Sequence, residues 1–163
     1  MPSFPQGGYP WHADHMHAFR TAVEAGDFDA LPALCAEDVV FRSPIAHKPY
    51  QGRDQIGVIL RAVSRVFVDL TYIKEIGGEG GQADYALVFT AKVGDLDING
   101  CDFLHTREDG LIDEFTVMLR PLKAVTKFAE LMAVEFEKGN GRRRFGVIAR
   151  RGSAHRPLGR RSI

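Results

Sequence analysis

Apolar residues recur at helical spacing in four stretches of the chain. In the first half, this spacing predicts a helix over residues 14–25, a short helix from Asp29, and a third helix over residues 53–66. A fourth helix is predicted to begin at Pro121 and to end at Gly139. Each of these helices carries one apolar face, so each needs another surface on which to bury it.

Between the third and fourth helices the pattern changes to the alternation that is typical of β-strands. Glycine-containing turns separate four long strands, which are predicted over residues 68–76, 83–92, 96–106 and 111–120. A short strand over residues 39–41 precedes them, and the proline- and glycine-containing segment over residues 44–52 is predicted to be a loop.

This order of elements predicts an α+β domain. Long antiparallel strands twist and curve, and helices that cover one face of a curved sheet enclose a tapering space. We therefore expect a cone-shaped, barrel-like fold. Three helices from the N-terminal half should pack on a strongly curved, mostly antiparallel sheet, which a C-terminal helix follows. An apolar pocket is expected between the helices and the sheet.

Composition and charge together divide the chain into three parts. Although the formal net charge is zero, residues 139–163 contain eight arginines and no Asp or Glu. Such a composition is typical of disordered extensions. We therefore expect a flexible, proline- and glycine-rich lead over residues 1–11, a single domain over residues 12–138, and a basic, disordered tail over residues 139–163.

The sequence disfavours several classes of protein. No apolar run reaches the ~20 residues of a membrane span, and the N-terminus lacks the features of a secretory signal peptide, so we expect a cytoplasmic protein. Cys35 and Cys101 are interpreted as reduced thiols. His12, His15 and His17 match no zinc motif, and we expect no metal site and no cofactor. The arginine-rich tail has little aromatic interleaving, so we expect no specific nucleic-acid binding.

Several segments of the chain resemble one known superfamily. They are Ala25-Gly26-Asp27-Phe28-Asp29-Ala30-Leu31, Asp38-Val39-Val40-Phe41, Pro49-Tyr50-Gln51-Gly52-Arg53-Asp54, Asp109-Gly110-Leu111-Ile112 and Val117-Met118-Leu119-Arg120-Pro121-Leu122. In this order and spacing they resemble the nuclear-transport-factor-2-like superfamily, and within it the SnoaL-like polyketide cyclase and ketosteroid isomerase branch, over about residues 12–138. The resemblance implies a cone-shaped fold with an apolar cavity, and a homodimer formed through the sheet. It does not imply one reaction, because this fold hosts enzymes, binders and adaptors.

The resemblance also implies positions for three catalytic groups, and two of them have changed. Ketosteroid isomerases place an Asp general base before a Pro at the end of the first strand, and this position falls on Ser43. The position of their first-helix Tyr falls on Phe19, which has no hydrogen-bond donor. The position of their protonated Asp falls on Asp102. The isomerase reaction itself is therefore not expected, and Asp102 remains as the candidate acid/base residue.

The role of Asp102 depends on the register of its strand. On the inner face, beside Ile98, Gly100 and Leu104, a carboxyl group among apolar side chains would have a raised pKa. After a slip of one residue, Asp102 would instead be a solvated charge on the outer face or at a dimer interface. In either register, His105 faces the side opposite Asp102.

His47 is a second candidate for proton transfer, because it lies in the predicted loop that could cover the pocket mouth. An ordinary exposed loop histidine is the alternative. Alternation and helical spacing predict a pocket lined by Phe19, Val23, Ser43, Tyr50, Leu60, Val63, Tyr72, Tyr85, Leu87, Phe89, Leu104, Phe115, Val117 and Leu119. These side chains could equally fill the space as a core, because a core and a pocket wall use the same residue types.

We therefore expect a domain that binds a small, mostly apolar molecule, with or without acid/base chemistry of the isomerase, cyclase or hydratase/dehydratase kind. The alternative is a non-catalytic ligand-binding or dimerisation module in the same fold. A buried Asp102 that faces a cavity beside a second polar group favours the enzyme. An outward-facing Asp102, or a filled cavity, favours the module.

Overall fold

The computed structural model describes the backbone of residues 18–78 and 83–148, and the side chains of these ranges up to residue 139. The predicted N-terminal lead, the three clustered histidines and residues 149–163 of the predicted basic tail lie outside the described residues.

The described helical segments lie at or near the predicted positions. Helix α1 is described over residues 18–24, and α2 spans Arg53–Val66, which are its predicted bounds. A 3-10 helix, Leu31–Leu34, takes the place of the predicted short second helix and contains a proline in its first turn. Helix α3 spans Leu122–Ile148. Within the described residues, no helix is both long and apolar enough to cross a bilayer.

The prediction that Gly139 ends the last helix is wrong, because α3 continues through this residue to Ile148. A glycine lowers helix stability by about 1 kcal/mol relative to alanine, but it does not by itself end a helix. A Cβ atom at position 139 would meet no other atom within 4 Å, so close packing does not require glycine there.

Six strands form one curved, open sheet. They are β1 (Cys35–Arg42), β2 (Tyr50–Gln51), β3 (Val68–Gly77), β4 (Asp84–Val93), β5 (Leu96–Thr106) and β6 (Ile112–Arg120). Their order in the sheet is β2-β1-β6-β5-β4-β3, and all neighbours are antiparallel except β1 and β6, which are parallel. The predicted α+β class and the mostly antiparallel sheet are confirmed.

The sequence pattern does not predict two features of this sheet. Strand β1 begins at Cys35 rather than at residue 39, and β2 lies inside the segment predicted to be a loop. Strand β2 pairs with β1 through Val40↔Gln51 and Phe41↔Tyr50. Two residues are too few to show an alternating pattern, so only the pairing with a neighbour reveals this strand.

The inner face of the sheet is the face that the helices cover. Alternate residues of β4 from Tyr85 to Val93 are buried, and on β5 the buried positions are Ile98, Gly100, Asp102, Leu104 and Thr106. The two strands pair in continuous register, which sets Leu87 opposite Asp102 and Phe89 opposite Gly100. Asp102 therefore faces inward, toward the helices.

Candidate functional site

A cavity of about 50 Å³ lies between the helices and the inner face of the sheet. Side chains from α1, α2 and α3 form one wall, and side chains from the sheet form the other. The residues predicted from the sequence that line it are Phe19, Val23, Ser43, Leu60, Val63, Tyr72, Phe89, Asp102, Phe115, Val117 and Leu119.

Four of the predicted pocket residues are not among the described side chains that line the cavity. Tyr85, Leu87 and Leu104 are buried on the inner face of β4 and β5, where they pack as core. Tyr50 stacks on Phe41, with the ring centroids 6.2 Å apart. Alternation predicts which face of a strand a side chain occupies, but it does not predict how far along that face a cavity extends.

The remaining lining residues carry no pocket prediction from the sequence. They are Phe28, Leu31, Phe41, Pro44, Ile59, Phe67, Leu70, Phe128 and Met132. Phe128 and Met132 lie four residues apart on one face of α3, and this spacing is the signal by which they could have been found. Phe28 and Phe67 lie in connections between regular elements, where no periodic pattern is available.

Asp102 and Tyr72 form a hydrogen-bonded pair in the cavity wall. The Tyr72 hydroxyl donates to Oδ2 of Asp102 over 2.6 Å, and both side chains are buried. Because Tyr72 is on β3 and Asp102 is on β5, the tyrosine side chain reaches across β4 to make this contact. In the described part of the chain, no other side chain is hydrogen-bonded to Asp102. The sequence names both residues as candidates, but it does not predict that they pair.

Burial sets the proton affinity of this pair. It raises the pKa of Asp102 from the usual 3.8 to about 7, and the hydrogen bond from Tyr72 opposes the rise. Burial, together with the negative charge of Asp102, raises the pKa of Tyr72 well above its usual range. Near neutral pH, Tyr72 therefore remains a hydroxyl donor, whereas Asp102 interconverts between carboxylate and carboxylic acid.

An aromatic contact with Phe89 supports the Tyr72 ring. Phe89 of β4 packs edge-on against it, with the ring centroids 6.0 Å apart. The Phe89 ring lies over Gly100 of β5, where a Cβ atom would overlap the ring. Gly100 therefore leaves the space that Phe89 occupies beside Tyr72.

The positions at which the resemblance implies a base and a tyrosine also lie in the cavity wall. Ser43 follows β1, and its hydroxyl accepts a hydrogen bond from the Ile45 N–H over 3.3 Å. Phe19 of α1 packs edge-on against Phe115, with the centroids 5.5 Å apart. His47 is exposed in the following loop and is not among the described lining residues. Residues 18–78 and 83–139 contain no group of three His, Cys, Asp or Glu side chains that could hold a metal ion.

A second acid/base pair lies on the outer face of the sheet. Nδ1 of His105 is 2.6 Å from Oδ1 of Asp113, and 41% of the His105 side chain is exposed. The hydrogen bond to Asp113 raises the pKa of His105, and the charges of Asp84 and Glu114 add to the rise. Neither member of this pair lines the cavity.

The same outer face carries an apolar patch. We define the outer-face patch as the side chains of Ile73, Val88, Cys101, Phe103 and Met118. Ile73 is 62% exposed, Met118 is 59% exposed and Phe103 is 43% exposed. A groove of about 460 Å³ is lined by four of these side chains, all but that of Phe103, and in addition by Asn99, Gly100, Leu119 and Arg120. Exposed apolar side chains that cluster in this way mark interaction surfaces.

A model of the SnoaL-like domain family matches residues 16–115. No curated protein matches the chain. Among solved structures, the chain is similar to a steroid delta-isomerase from Pseudomonas aeruginosa. The identity is 32%, the match covers 85% of this chain and 99% of that chain, and the TM-score is 0.76.

Two further structures extend the comparison. An uncharacterized protein with a cystatin-like fold from Silicibacter pomeroyi is 36% identical, over 74% of this chain and 83% of that chain, with a TM-score of 0.69. An epoxide hydrolase/cyclase-like enzyme with a role in pyran ring formation in the polyether salinomycin is 16% identical, over 69% of this chain and 92% of that chain, with a TM-score of 0.57. At this lower identity, the likeness shows the fold alone.

Proposed function

The chain belongs to the SnoaL-like domain family, and from this we propose that its cavity binds a small, mostly apolar molecule with which Asp102 exchanges a proton. The observation that carries the proposal is the buried Asp102 carboxyl group, held by Tyr72 in the wall of an otherwise apolar cavity. The reaction class is acid/base chemistry of the isomerase, cyclase or hydratase/dehydratase kind.

The electrostatics of Asp102 support this role. A proton-exchanging group works best when its pKa lies near the ambient pH, because both protonation states are then populated. Burial raises the pKa of Asp102 to about 7, which meets this condition. Tyr72 donates to Oδ2, and Oδ1 has no hydrogen-bond partner among the described residues. This second oxygen can therefore take a proton from a bound molecule, or return one to it.

One relative supports the same class of chemistry without identifying the substrate. It is the steroid delta-isomerase, which is 32% identical to this chain. In this chain, Ser43 and Phe19 stand where the resemblance implies a base and a tyrosine. Asp102 would therefore have to both remove the proton and return it, which separates the proposed chemistry from that of a ketosteroid isomerase.

The cavity limits the ligand in size and polarity. At about 50 Å³ it is smaller than the ~150 Å³ apolar cavity that binds benzene in an engineered protein. A ligand of more than a few heavy atoms therefore has to displace adaptable wall side chains such as Met132. The polar groups of the wall belong to Asp102, Tyr72 and Ser43, so a ligand with an unpaired charge would lose its hydration without compensation.

A fragment titration tests the proposal. Neutral compounds of up to about ten heavy atoms are added to the full chain, and the NMR signals of Asp102 and Tyr72 are followed from pH 5 to pH 9. We expect at least one compound to shift both signals, and Asp102→Asn to weaken that binding. Asp97→Asn is the matched control, because Asp97 is on the same strand but has an 85% exposed side chain. A panel that leaves the cavity signals unchanged would refute the ligand-binding proposal.

The second candidate function is a dimerisation module, and the outer-face patch together with the small cavity favours it. We propose that two copies of the chain pair through this patch, with or without a ligand in the cavity. The patch clusters exposed apolar side chains, and association of two copies would remove Ile73, Met118 and Phe103 from water.

Sedimentation velocity tests the dimer. We expect the wild-type chain to sediment as a dimer at micromolar concentration, and Met118→Lys to sediment as a monomer. Val58→Lys is the control, because Val58 is an exposed apolar residue on α2, away from the sheet. A monomeric wild-type chain would exclude this interface, as would a Met118→Lys variant that remains dimeric.

A further inference from the structure

Two charged side chains of α1 hold the peptide groups of Tyr72. Nη2 of Arg20 donates to the Tyr72 carbonyl oxygen over 3.2 Å, and the Tyr72 N–H donates to Oε1 of Glu24 over a longer 3.4 Å. Nε of Arg20 also donates to the same Glu24 oxygen over 3.1 Å. Arg20 and Glu24 therefore bind each other and both backbone groups of one cavity residue.

The position of Tyr72 in the sheet explains why such support matters. Strand β3 is at the edge of the sheet, so one side of its backbone has no neighbouring strand. The register with β4 shifts directly after Tyr72, because Tyr72 is opposite Phe89 while Lys74 is opposite Val88. This irregularity leaves Ile73 without a partner residue. Sheet pairing alone therefore constrains the direction of the Tyr72 side chain less than in a regular strand.

Arg20 bridges this irregularity. Its Nη1 atom lies 3.6 Å from Oε2 of Glu75, so one guanidinium group contacts β3 on both sides of the unpaired Ile73. The side chains of Arg20 and Glu24 are 33% and 35% exposed, which places them partly out of water at the junction of α1 and β3. A planar guanidinium group with several fixed donors suits such a junction.

We propose that Arg20 and Glu24 are positioning residues, which fix the Tyr72 peptide so that the Tyr72 hydroxyl stays on the Asp102 carboxyl group. The inference rests on the proposed function, because it takes Asp102 to be the proton-exchanging group. Neither Arg20 nor Glu24 lines the cavity, so neither is expected to touch a ligand.

The proposal predicts the direction in which the pKa of Asp102 changes when the Tyr72 hydrogen bond is lost. The hydrogen bond from Tyr72 lowers the pKa of Asp102 against the effect of burial, so loss of that bond raises the pKa further. Of the described side chains that line the cavity, which come from all three α-helices, from every strand except β2 and from the connecting segments, only Asp102 and Tyr72 titrate. The midpoint of Asp102 therefore reports the Tyr72 hydrogen bond without interference from another cavity group.

The test measures the Asp102 midpoint by carboxyl ¹³C NMR in the full chain. Tyr72→Phe sets the scale, with an expected rise of about 1 pH unit, the size that one hydrogen bond to a charged group predicts. Arg20→Met should raise the midpoint by about half as much, because it removes one of two supports. Arg20→Lys should restore part of the effect, and it remains informative if Arg20→Met folds poorly. Arg61→Met, which breaks an exposed ion pair with Asp29, should leave the midpoint unchanged.

The Glu24→Met variant distinguishes a role in positioning Tyr72 from a long-range effect of the Glu24 charge on Asp102. Removal of a negative charge should lower the Asp102 midpoint if only long-range charge matters. Positioning predicts the opposite sign, a rise, because the Tyr72 N–H loses its acceptor. Glu24→Gln keeps an acceptor oxygen and should stay closer to the wild type than Glu24→Met does.

A double variant completes the design. In a Tyr72→Phe background, Arg20→Met should no longer change the midpoint, because there is no hydroxyl group left to position. The proposal is overturned if Arg20→Met shifts the midpoint equally in both backgrounds, or if Glu24→Met lowers it. The titration needs neither ligand nor turnover, so its failure is distinguishable from failure to find a ligand for the cavity.

Discussion

The two faces of the sheet each carry an acid/base pair with the same 2.6 Å contact, but the pKa shifts of the two pairs have different main causes. On the inner face, burial raises the pKa of Asp102 to about 7, and the Tyr72 hydrogen bond opposes the rise. On the outer face, the hydrogen bond to Asp113 raises the pKa of His105, and partial burial opposes the rise. Contact distance alone therefore does not predict which group titrates or why, because the surrounding dielectric decides how strongly charge is disfavoured.

The pairs also act on stability in different pH windows. Asp102 is protonated in the folded and unfolded states below about pH 4, so its penalty is absent there. As the pH rises to about 7, the unfolded state loses this proton first, and stability falls. His105, with a raised pKa, contributes stability below an unfolded pKa of about 6.5, and this contribution is lost as the pH rises through the folded value.

The largest expected contrast between the faces is in packing. Phe89 is fully buried on the inner face, whereas Phe103 is 43% exposed on the outer face. Phe89→Ala should lower the free energy of unfolding by about 3–5 kcal/mol. Phe103→Ala should lower it by less than about 1 kcal/mol in the Met118→Lys background, in which the proposed dimer is expected to be absent. Urea unfolding followed by circular dichroism measures both variants. Equal losses would contradict the assignment of the inner and outer faces.

The next contrast concerns the pH dependence of stability. Ionisation of buried Asp102 should lower the wild-type free energy of unfolding by at most about 4 kcal/mol between pH 4 and pH 8, from the size of its pKa shift. Asp102→Asn cannot ionise and should lack this fall, whereas Asp97→Asn should retain it. Urea unfolding at several pH values gives the curves. An Asp102→Asn curve parallel to that of the wild type would show that Asp102 does not carry the penalty.

A smaller effect is expected from a substitution at Gly100 of β5, over which the Phe89 ring lies. Gly100→Ala should lower the free energy of unfolding by about 1–3 kcal/mol, because the new methyl group overlaps the Phe89 ring. Gly139→Ala is the control, since its Cβ atom would enter open space on α3, and it should be neutral or stabilising by up to about 1 kcal/mol. Thermal unfolding compares the two. A neutral Gly100→Ala variant would mean that the inner face is not tightly packed at Tyr72.

The smallest expected effect comes from the outer pair. His105→Gln should lower stability by less than about 1 kcal/mol below pH 6.5, because solvent screens an exposed pair. Above the raised pKa of His105 the wild type and the variant should converge. Urea unfolding at pH 5.5 and pH 8.5 measures this difference. A larger loss at pH 8.5 than at pH 5.5 would contradict the assigned direction of the His105 shift.

Periodicity in the sequence predicts the regular elements well and the irregular ones poorly. It predicts α2 to the residue, and it predicts the four long strands to within two residues at each end. It misses β2, whose two residues show no pattern, and it ends α3 at Gly139, where the helix in fact continues. A local pattern can place an element when the element is long enough to repeat it.

The candidate site, too, is predicted only in part by the local sequence pattern. Alternation along β5 places Asp102 on one face with Ile98, Gly100 and Leu104, and all four residues are inward-facing in the structure. The sequence also names Tyr72, yet it does not predict the hydrogen bond to Asp102. That bond crosses β4, where Phe89 packs against the Tyr72 ring in the space that Gly100 leaves.

The sequence by itself therefore determined the fold class and the positions of the long helices and strands, because these follow from residue types and spacings within single elements, which are local properties of the chain. The family resemblance came from several segments taken in order, and the lining of the cavity was predicted only in part. Only the tertiary structure decided that Asp102 pairs with Tyr72, that α1 supports Tyr72 at the sheet edge, and that the cavity is only about 50 Å³. These depend on distances between elements remote in sequence, where a shift of about 1 Å makes or breaks a hydrogen bond.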